Sequence, residues 1–195
     1  GSGNDDLIGG HNVANGHDGN DSIEGSSGHD VIAGDNASVL RNPRATDARW
    51  KVLRGAQIHS GNGTPLVTAT AQNNPNAVPL RDIVLFDHTF STSGTVFGND
   101  DLAGGSDSDL VFGQLGNDAI QGDGTILSVS GSRTLDVRTS LTSIDDFDGP
   151  ETDGDDYIEG GGGRDLILGN LGQDDIVGGS SSMFGATIAS TRPDA

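Results

Sequence analysis

Along this chain an aliphatic residue follows an aspartate by two places, and the aspartate follows a glycine by two. The phrase occurs nine times, in three blocks of three, with one exception at its glycine. The first block holds Asp5 with Leu7, Asp21 with Ile23 and Asp30 with Ile32. The second holds Asp100 with Leu102, Asp109 with Val111 and Asp118 with Ile120. The third holds Asp156 with Ile158, Asp165 with Ile167 and Asp174 with Ile176. All nine aliphatic positions are filled in a chain that is only 32% hydrophobic, so their phase is not an effect of composition. Each phrase predicts a turn followed by a short strand whose aliphatic side chain points inward. In the second and third blocks the aspartates recur every nine residues, at 100, 109, 118 and at 156, 165, 174. A fixed short period in a Gly- and Asp-rich chain predicts a stacked β-solenoid.

The glycines before the aspartates are Gly3, Gly19, Gly28, Gly98, Gly116, Gly154, Gly163 and Gly172, while Asp107 stands in the remaining place. Glycine adopts positive φ without steric penalty, so the backbone can turn sharply and aim carbonyl oxygens at one spot. The aspartate adds a carboxylate to those carbonyls. A hard cation that accepts six to eight oxygens in flexible geometry suits such a nest, which favours Ca²⁺ over the stricter octahedron of Mg²⁺. Asp107 offers an extra carboxylate where its repeat lacks glycine.

Composition sharpens this reading. There are 29 Asp plus Glu against 10 Lys plus Arg, a formal charge of −19, and 32 glycines. Without a partner, such a chain repels itself and has little apolar surface to bury. The aspartates sit in register, so a divalent cation is the economical neutraliser. Nucleic acid would need a basic face. With no cysteine there are no disulfides and no thiolate metal sites, and no apolar run is long enough to span a bilayer. The chain opens at Gly1 without methionine and reads as a piece of a longer protein.

The full nonapeptide at 160–168 reads Gly-Gly-Gly-Gly-Arg-Asp-Leu-Ile-Leu. It resembles Gly-Gly-x-Gly-x-Asp-x-aliphatic-x, the calcium-binding repeat of RTX (haemolysin-type) proteins. The resemblance implies an all-β, right-handed parallel β-roll binding several Ca²⁺ ions. Its blocks would be 1–33, 95–122 and 151–179, within a single domain over 1–195. It implies that two nonapeptides make one coil, and that each ion lies between turns eighteen residues apart on one edge. Asp100 with Asp118, and Asp156 with Asp174, would then share an edge, and Asp109 and Asp165 would lie opposite. Carbonyls of Gly98, Gly116, Gly154, Gly163 and Gly172 would complete the shells. Asp5 and Asp21 are sixteen residues apart, so one repeat is expected to be degenerate at Gly9–Asn15, leaving that edge without a cation.

The inserts, 34–94 and 123–150, begin with Gly34-Asp35 and Gly122-Asp123, whose aspartates are placed to cap the preceding edge and bind its cation. Alternation in the second insert (Leu127, Val129, then Leu135, Val137) and apolar runs in the first (Trp50 to Ile58, Leu66–Ala71, Ile83–Phe86) predict β-hairpins. Six basic residues lie in the first insert: Arg41, Arg44, Arg49, Lys51, Arg54 and Arg81. They read as a solvated offset to the acidic roll sooner than as a ligand grip.

No catalytic constellation is expected. Histidines are scattered, no nucleophile elbow or phosphate loop occurs, and the pairs Asp145-Asp146 and Asp87-His88 read as surface loops. The expected function is calcium binding by a calcium-triggered folding and structural module of a secreted bacterial protein. The resemblance implies export by type I secretion and a location outside the cell or at its surface. An adhesin or carbohydrate-binding segment, or an accessory module of an extracellular enzyme, are the alternatives.

Overall fold

The computed structural model describes residues 1–43, 80–126 and 154–193, apart from 173, 182, 185 and 187. The readings placed on Arg44–Pro79 and on the second insert beyond Ile126 fall outside the described residues, as do Asp145 and Asp146. Two compact units are distinguished, one formed by Gly1–Val39 with Ile83–Ala195 and one by Leu40–Asp82. In the second unit Asn42 donates its N–H to the Leu80 carbonyl at 2.9 Å and its side-chain amide to Asp82 at 2.6 Å.

The first unit is a roll of two parallel sheets. One sheet stacks β1 (Asp6–Ile8), β3 (Val31–Ala33), β7 (Leu110–Phe112), β10 (Tyr157–Glu159) and β13 (Asp175–Val177). The other stacks β2 (Ser22–Ser27), β6 (Asp101–Ser106), β9 (Ala119–Gln121) and β12 (Leu166–Leu168). Every pairing within them is parallel. Between the sheets, β8 (Leu115–Gly116) pairs with β11 (Gly162–Gly163), adding a short parallel ladder inside the turns. At the root of the first insert β4 (Ala37–Arg41) pairs with β5 (Arg81–Leu85), so the apolar run Ile83–Phe86 does contribute a strand.

Register puts the repeat aliphatics in rows. Leu7, Ile32, Val111, Ile158 and Ile176 align in one sheet, and Ile23, Leu102, Ile120 and Ile167 in the other. Ile32, Leu102, Val111, Ile120 and Ile158 are fully buried, with Leu7, Ile23 and Ile167 packed against them. Ile176 lies 47% exposed on the last rung. The core between the sheets is therefore one row of aliphatics from each sheet, packed against each other.

Successive repeat strands alternate between the two sheets without exception among the described residues. This corrects the expected degenerate repeat. β1 and β2 are consecutive half-coils in opposite sheets, so the extra residues form an outward loop and not a missing rung. That loop is tied down where Asn15 N–H donates to Asp87 at 2.5 Å and Asp18 N–H to the Thr95 carbonyl at 3.2 Å.

The outer face of the five-stranded sheet carries a second apolar group. Phe184, from the tail after β13, meets Phe112 edge-on at 4.7 Å and lies 5.8 Å from Tyr157. Buried Glu159 accepts from the Tyr157 and Ser181 hydroxyls and from Ser181 N–H at 3.0 Å. Beside this group His88 is buried, and burial lowers its pKa. The Asp87-His88 pair is thus not the exposed loop its sequence suggested.

Candidate metal site

Every turn between sheets begins with glycine and ends with the repeat aspartate, and the aspartates form two ladders. On one edge the N–H of Asp21 donates to Oδ1 of Asp100 at 2.8 Å, Asp100 to Asp118 at 2.9 Å and Asp118 to Asp165 at 3.1 Å. On the other, Asp5 donates to Asp30 at 2.6 Å, Asp30 to Asp109 at 2.7 Å, Asp109 to Asp156 at 2.8 Å and Asp156 to Asp174 at 3.0 Å. The expected sharing of edges within each block holds. The pairing of Asp109 with Asp165 does not: they lie on opposite edges. The second insert sits at a turn between β9 and β10, so strand alternation and not residue count sets the phase of the third block.

The residue before each aspartate makes an outer ladder. Asn99 N–H donates to Asn20 at 2.9 Å, Asn117 to Asn99 at 2.7 Å and Arg164 to Asn117 at 3.0 Å.

One carboxylate oxygen of Asp30, Asp100, Asp109, Asp118, Asp156, Asp165 and Asp174 thus joins adjacent coils; the second faces the turn. Oδ2 of Asp100, Asp109 and Asp118 is buried and accepts no hydrogen bond. A buried polar atom left unsatisfied costs about 1–3 kcal/mol, and more when charged. The position that a methyl group would take on the first glycine of each turn shows what surrounds these oxygens. At Gly104 it is 2.3 Å from Asp109 Oδ2 and 2.2 Å from the Gly122 carbonyl oxygen. At Gly113 it is 2.6 Å from both Asp118 Oδ2 and the Gly160 carbonyl oxygen, and at Gly34 it is 2.2 Å from Asp100 Oδ2 and 2.9 Å from the Gly113 carbonyl oxygen. A carboxylate from one turn and a carbonyl from the next coil converge on space that only glycine leaves open.

Burial and like charge set the electrostatics of these cradles. Burial lifts the carboxyl of Asp100 to about 7 and that of Asp118 to about 8, and pushes Asp109 well above its ordinary value. The charges that raise them further are other aspartates, Asp21 for Asp100, Asp156 for Asp109 and Asp100 for Asp118. Buried carboxylates stacked against like charges resist ionising. A hard cation would reverse that preference, and the oxygen-only donor set is the one Ca²⁺ takes. Among the described residues no three His, Cys, Asp or Glu side chains gather into a site by themselves.

Other expected ligands fall as follows. The carbonyls of Gly3, Gly19, Gly98, Gly116 and Gly154 lie against the equivalent glycine of the next coil, where a methyl group would meet them at 1.5–2.4 Å. Carbonyls of the first turn glycines, absent from the sequence expectation, are the ones beside Oδ2. Asp107 keeps the left-handed φ of the glycine it replaces, 72°, with an exposed side chain. Ser26, Gln114 and Asn170 hold the second turn position at φ 83°, 73° and 73°, so the fold imposes the turn even without glycine. Asp35 differs from a simple cation ligand: its two oxygens accept from Gly98 N–H at 2.8 Å and Leu115 N–H at 3.0 Å. Asp123 accepts from Gly154 N–H at 3.0 Å. Each insert is therefore closed by a stitch from its exit aspartate to its re-entry glycine.

Two stacked parallel sheets joined by aspartate-laddered glycine turns define a β-roll with oxygen-lined cradles on both edges. The RTX calcium-binding nonapeptide repeat family matches residues 8–37, 96–124 and 152–182. The three blocks are RTX repeats, and the chain carries a calcium-binding structural module. No curated protein and no solved structure matches the chain. Among the described residues no helix is long and apolar enough to cross a membrane.

Proposed function

We propose that this chain is a calcium-triggered folding module of a secreted bacterial protein, binding several Ca²⁺ ions, unfolded before export and rigid afterwards. The observation that carries the reading is the set of buried Oδ2 atoms of Asp100, Asp109 and Asp118, which accept no hydrogen bond and stand beside other carboxylates. The interior holds one row of repeat aliphatics from each sheet, while among the described residues seven buried aspartates oppose folding unless neutralised: Asp30, Asp35, Asp100, Asp109, Asp118, Asp123 and Asp156. With a dissociation constant near 10⁻⁴ M, typical of extracellular modules, millimolar Ca²⁺ adds about 1.4 kcal/mol per site. Several coupled sites reach about 5–10 kcal/mol, a whole domain's stability. At submicromolar Ca²⁺ the same sites contribute almost nothing, so binding and folding become one event. Family membership of the repeats supports an extracellular setting, and type I secretion is the route that suits an unfolded passenger. We read the module itself as non-catalytic.

Far-UV circular dichroism during calcium titration tests this, with magnesium as control. A cooperative gain of β signal with calcium alone is expected, together with loss of protease resistance on chelation. A chain that stays folded in chelator would overturn the reading.

A further inference from the structure

The outer face of the five-stranded sheet encloses a cavity that the metal cradles do not use. His88, Gln114 and Glu159 line it, exposed by only 6%, 2% and 3%, and Leu85, Phe112 and Phe184 form its apolar walls. Its volume is about 10 Å³, room for about one water molecule. Gln114 donates its amide nitrogen to the Asn36 and Phe86 carbonyls at 3.0 and 3.1 Å, which fixes the end of the amide that carries Oε1. That oxygen is buried and accepts no hydrogen bond among the described residues, and Nδ1 of His88 is likewise buried without a partner. The tail after β13 closes the cavity. Ser181 bonds to Glu159, Phe184 rests on Phe112, and the Phe184 carbonyl accepts from Leu85 N–H at 3.4 Å.

A neutral imidazole suits this place and an imidazolium does not. Two carboxylates stand near His88, and both are engaged elsewhere. Asp87, on the same segment, accepts from Asn15 N–H at 2.5 Å and from the Asn36 amide at 3.1 Å. Glu159, on β10, accepts from the Tyr157 and Ser181 hydroxyls and from Ser181 N–H. Burial and Glu159 hold the Tyr157 hydroxyl above its ordinary pKa, so it stays protonated. β5 meets the cavity through Leu85, and neither β7 nor the stretch 180–184 contains a charged residue. Desolvation outweighs the pull of Asp87 and lowers the pKa of His88 from 6.5. A proton added there leaves a charge in an apolar cavity or draws Glu159 away from Ser181, and either outcome loosens the tail. We propose that His88 is a proton-operated latch: neutral, it lets the tail close over the outer sheet, and protonated, it releases the tail. The latch goes beyond the calcium reading and needs none of the cradle residues.

Hydrogen exchange on the whole chain in saturating Ca²⁺ tests the latch, with far-UV circular dichroism to follow the roll at each pH. The docked tail holds fewer protons than the released one, so docking weakens as pH falls below 6.5, by about tenfold per pH unit at most. The amides to watch are Ser181, bonded to Glu159, and Met183, bonded to the Ser181 hydroxyl at 3.0 Å. Their protection factors are expected to fall about tenfold from pH 7.5 to 5.5, while those of β3 and β7 hold. His88→Leu removes the titrating group and should keep that protection constant across the range, with the calcium stoichiometry unchanged. Constant protection in the parent chain, or the same loss in His88→Leu, overturns the latch. The His88 ring is read separately by NMR. A titration midpoint below 6.5 in the folded chain supports the latch, and one at or above 6.5 overturns it even if His88→Leu fails to fold.

Discussion

The N–H of Asp109 donates to Oδ1 of Asp156 at 2.8 Å, although the second insert lies between them. The bond has the same geometry as those between residues eighteen apart, such as Asp100 and Asp118 at 2.9 Å. The ladder is therefore continuous through the second insert.

Removing a rung should cost on both counts. Asp118→Ala takes away the acceptor for Asp100 N–H and the cradle oxygen at Gly113. It is expected to raise the calcium midpoint of folding several-fold and to lower stability in saturating calcium by about 1–3 kcal/mol. Urea unfolding at fixed calcium reads the second quantity; an unchanged midpoint would show Asp118 to be ornamental.

Glycines should differ sharply. Gly104→Ala places a methyl group 2.2 Å from the Gly122 carbonyl oxygen and 2.3 Å from Asp109 Oδ2, so it should block that cradle and destabilise the roll by more than about 2 kcal/mol. Gly178→Ala meets nothing within 4 Å and should change stability by less than about 0.5 kcal/mol. Thermal melts in calcium distinguish them.

Core position predicts the third contrast. Ile158→Ala empties a fully buried site and is expected to cost about 2–5 kcal/mol. Ile176→Ala, at a half-exposed rung, should cost under about 1 kcal/mol. Equal losses would mean that the last rung is covered in solution.

In chelator, pH should act in the direction opposite to ordinary acid denaturation. Folded carboxyls near 7 for Asp100, near 8 for Asp118 and near 9 for Asp35 exceed the unfolded value of 3.8. The folded state then holds more protons than the unfolded one, so stability is fully present below about pH 4 and declines as pH rises towards 9. Calcium-free chain should gain structure on acidification from pH 9 to 5, and calcium uptake near neutrality should release protons. Circular dichroism across that range and a pH-stat titration measure the two effects; loss of structure on mild acidification would contradict the sign.

The repeating chemistry was legible because glycine, aspartate and aliphatic each have one physical task at a fixed place in the turn. Eight of the nine aliphatics lie in or against the core, as their phase required. Edge assignment across the inserts was not legible, since insert length carries no record of how many half-coils it replaces. Asp165 joins Asp118 because strands alternate, a fact that spacing between 118 and 165 does not encode. Phe184 on Phe112 was missed for a similar reason: an aromatic in a short irregular tail has no period to reveal which face it covers.

The stitches from Asp35 to Gly98 and from Asp123 to Gly154 span 63 and 31 residues, yet each closes a turn on the same ladder. Doubling a flexible loop costs only about 0.6 kcal/mol, so guest sequence of almost any size is tolerated once its two ends are pinned this way. Each such corner works as a socket, through which new modules could be spliced into the acidic cylinder without resetting a single stair.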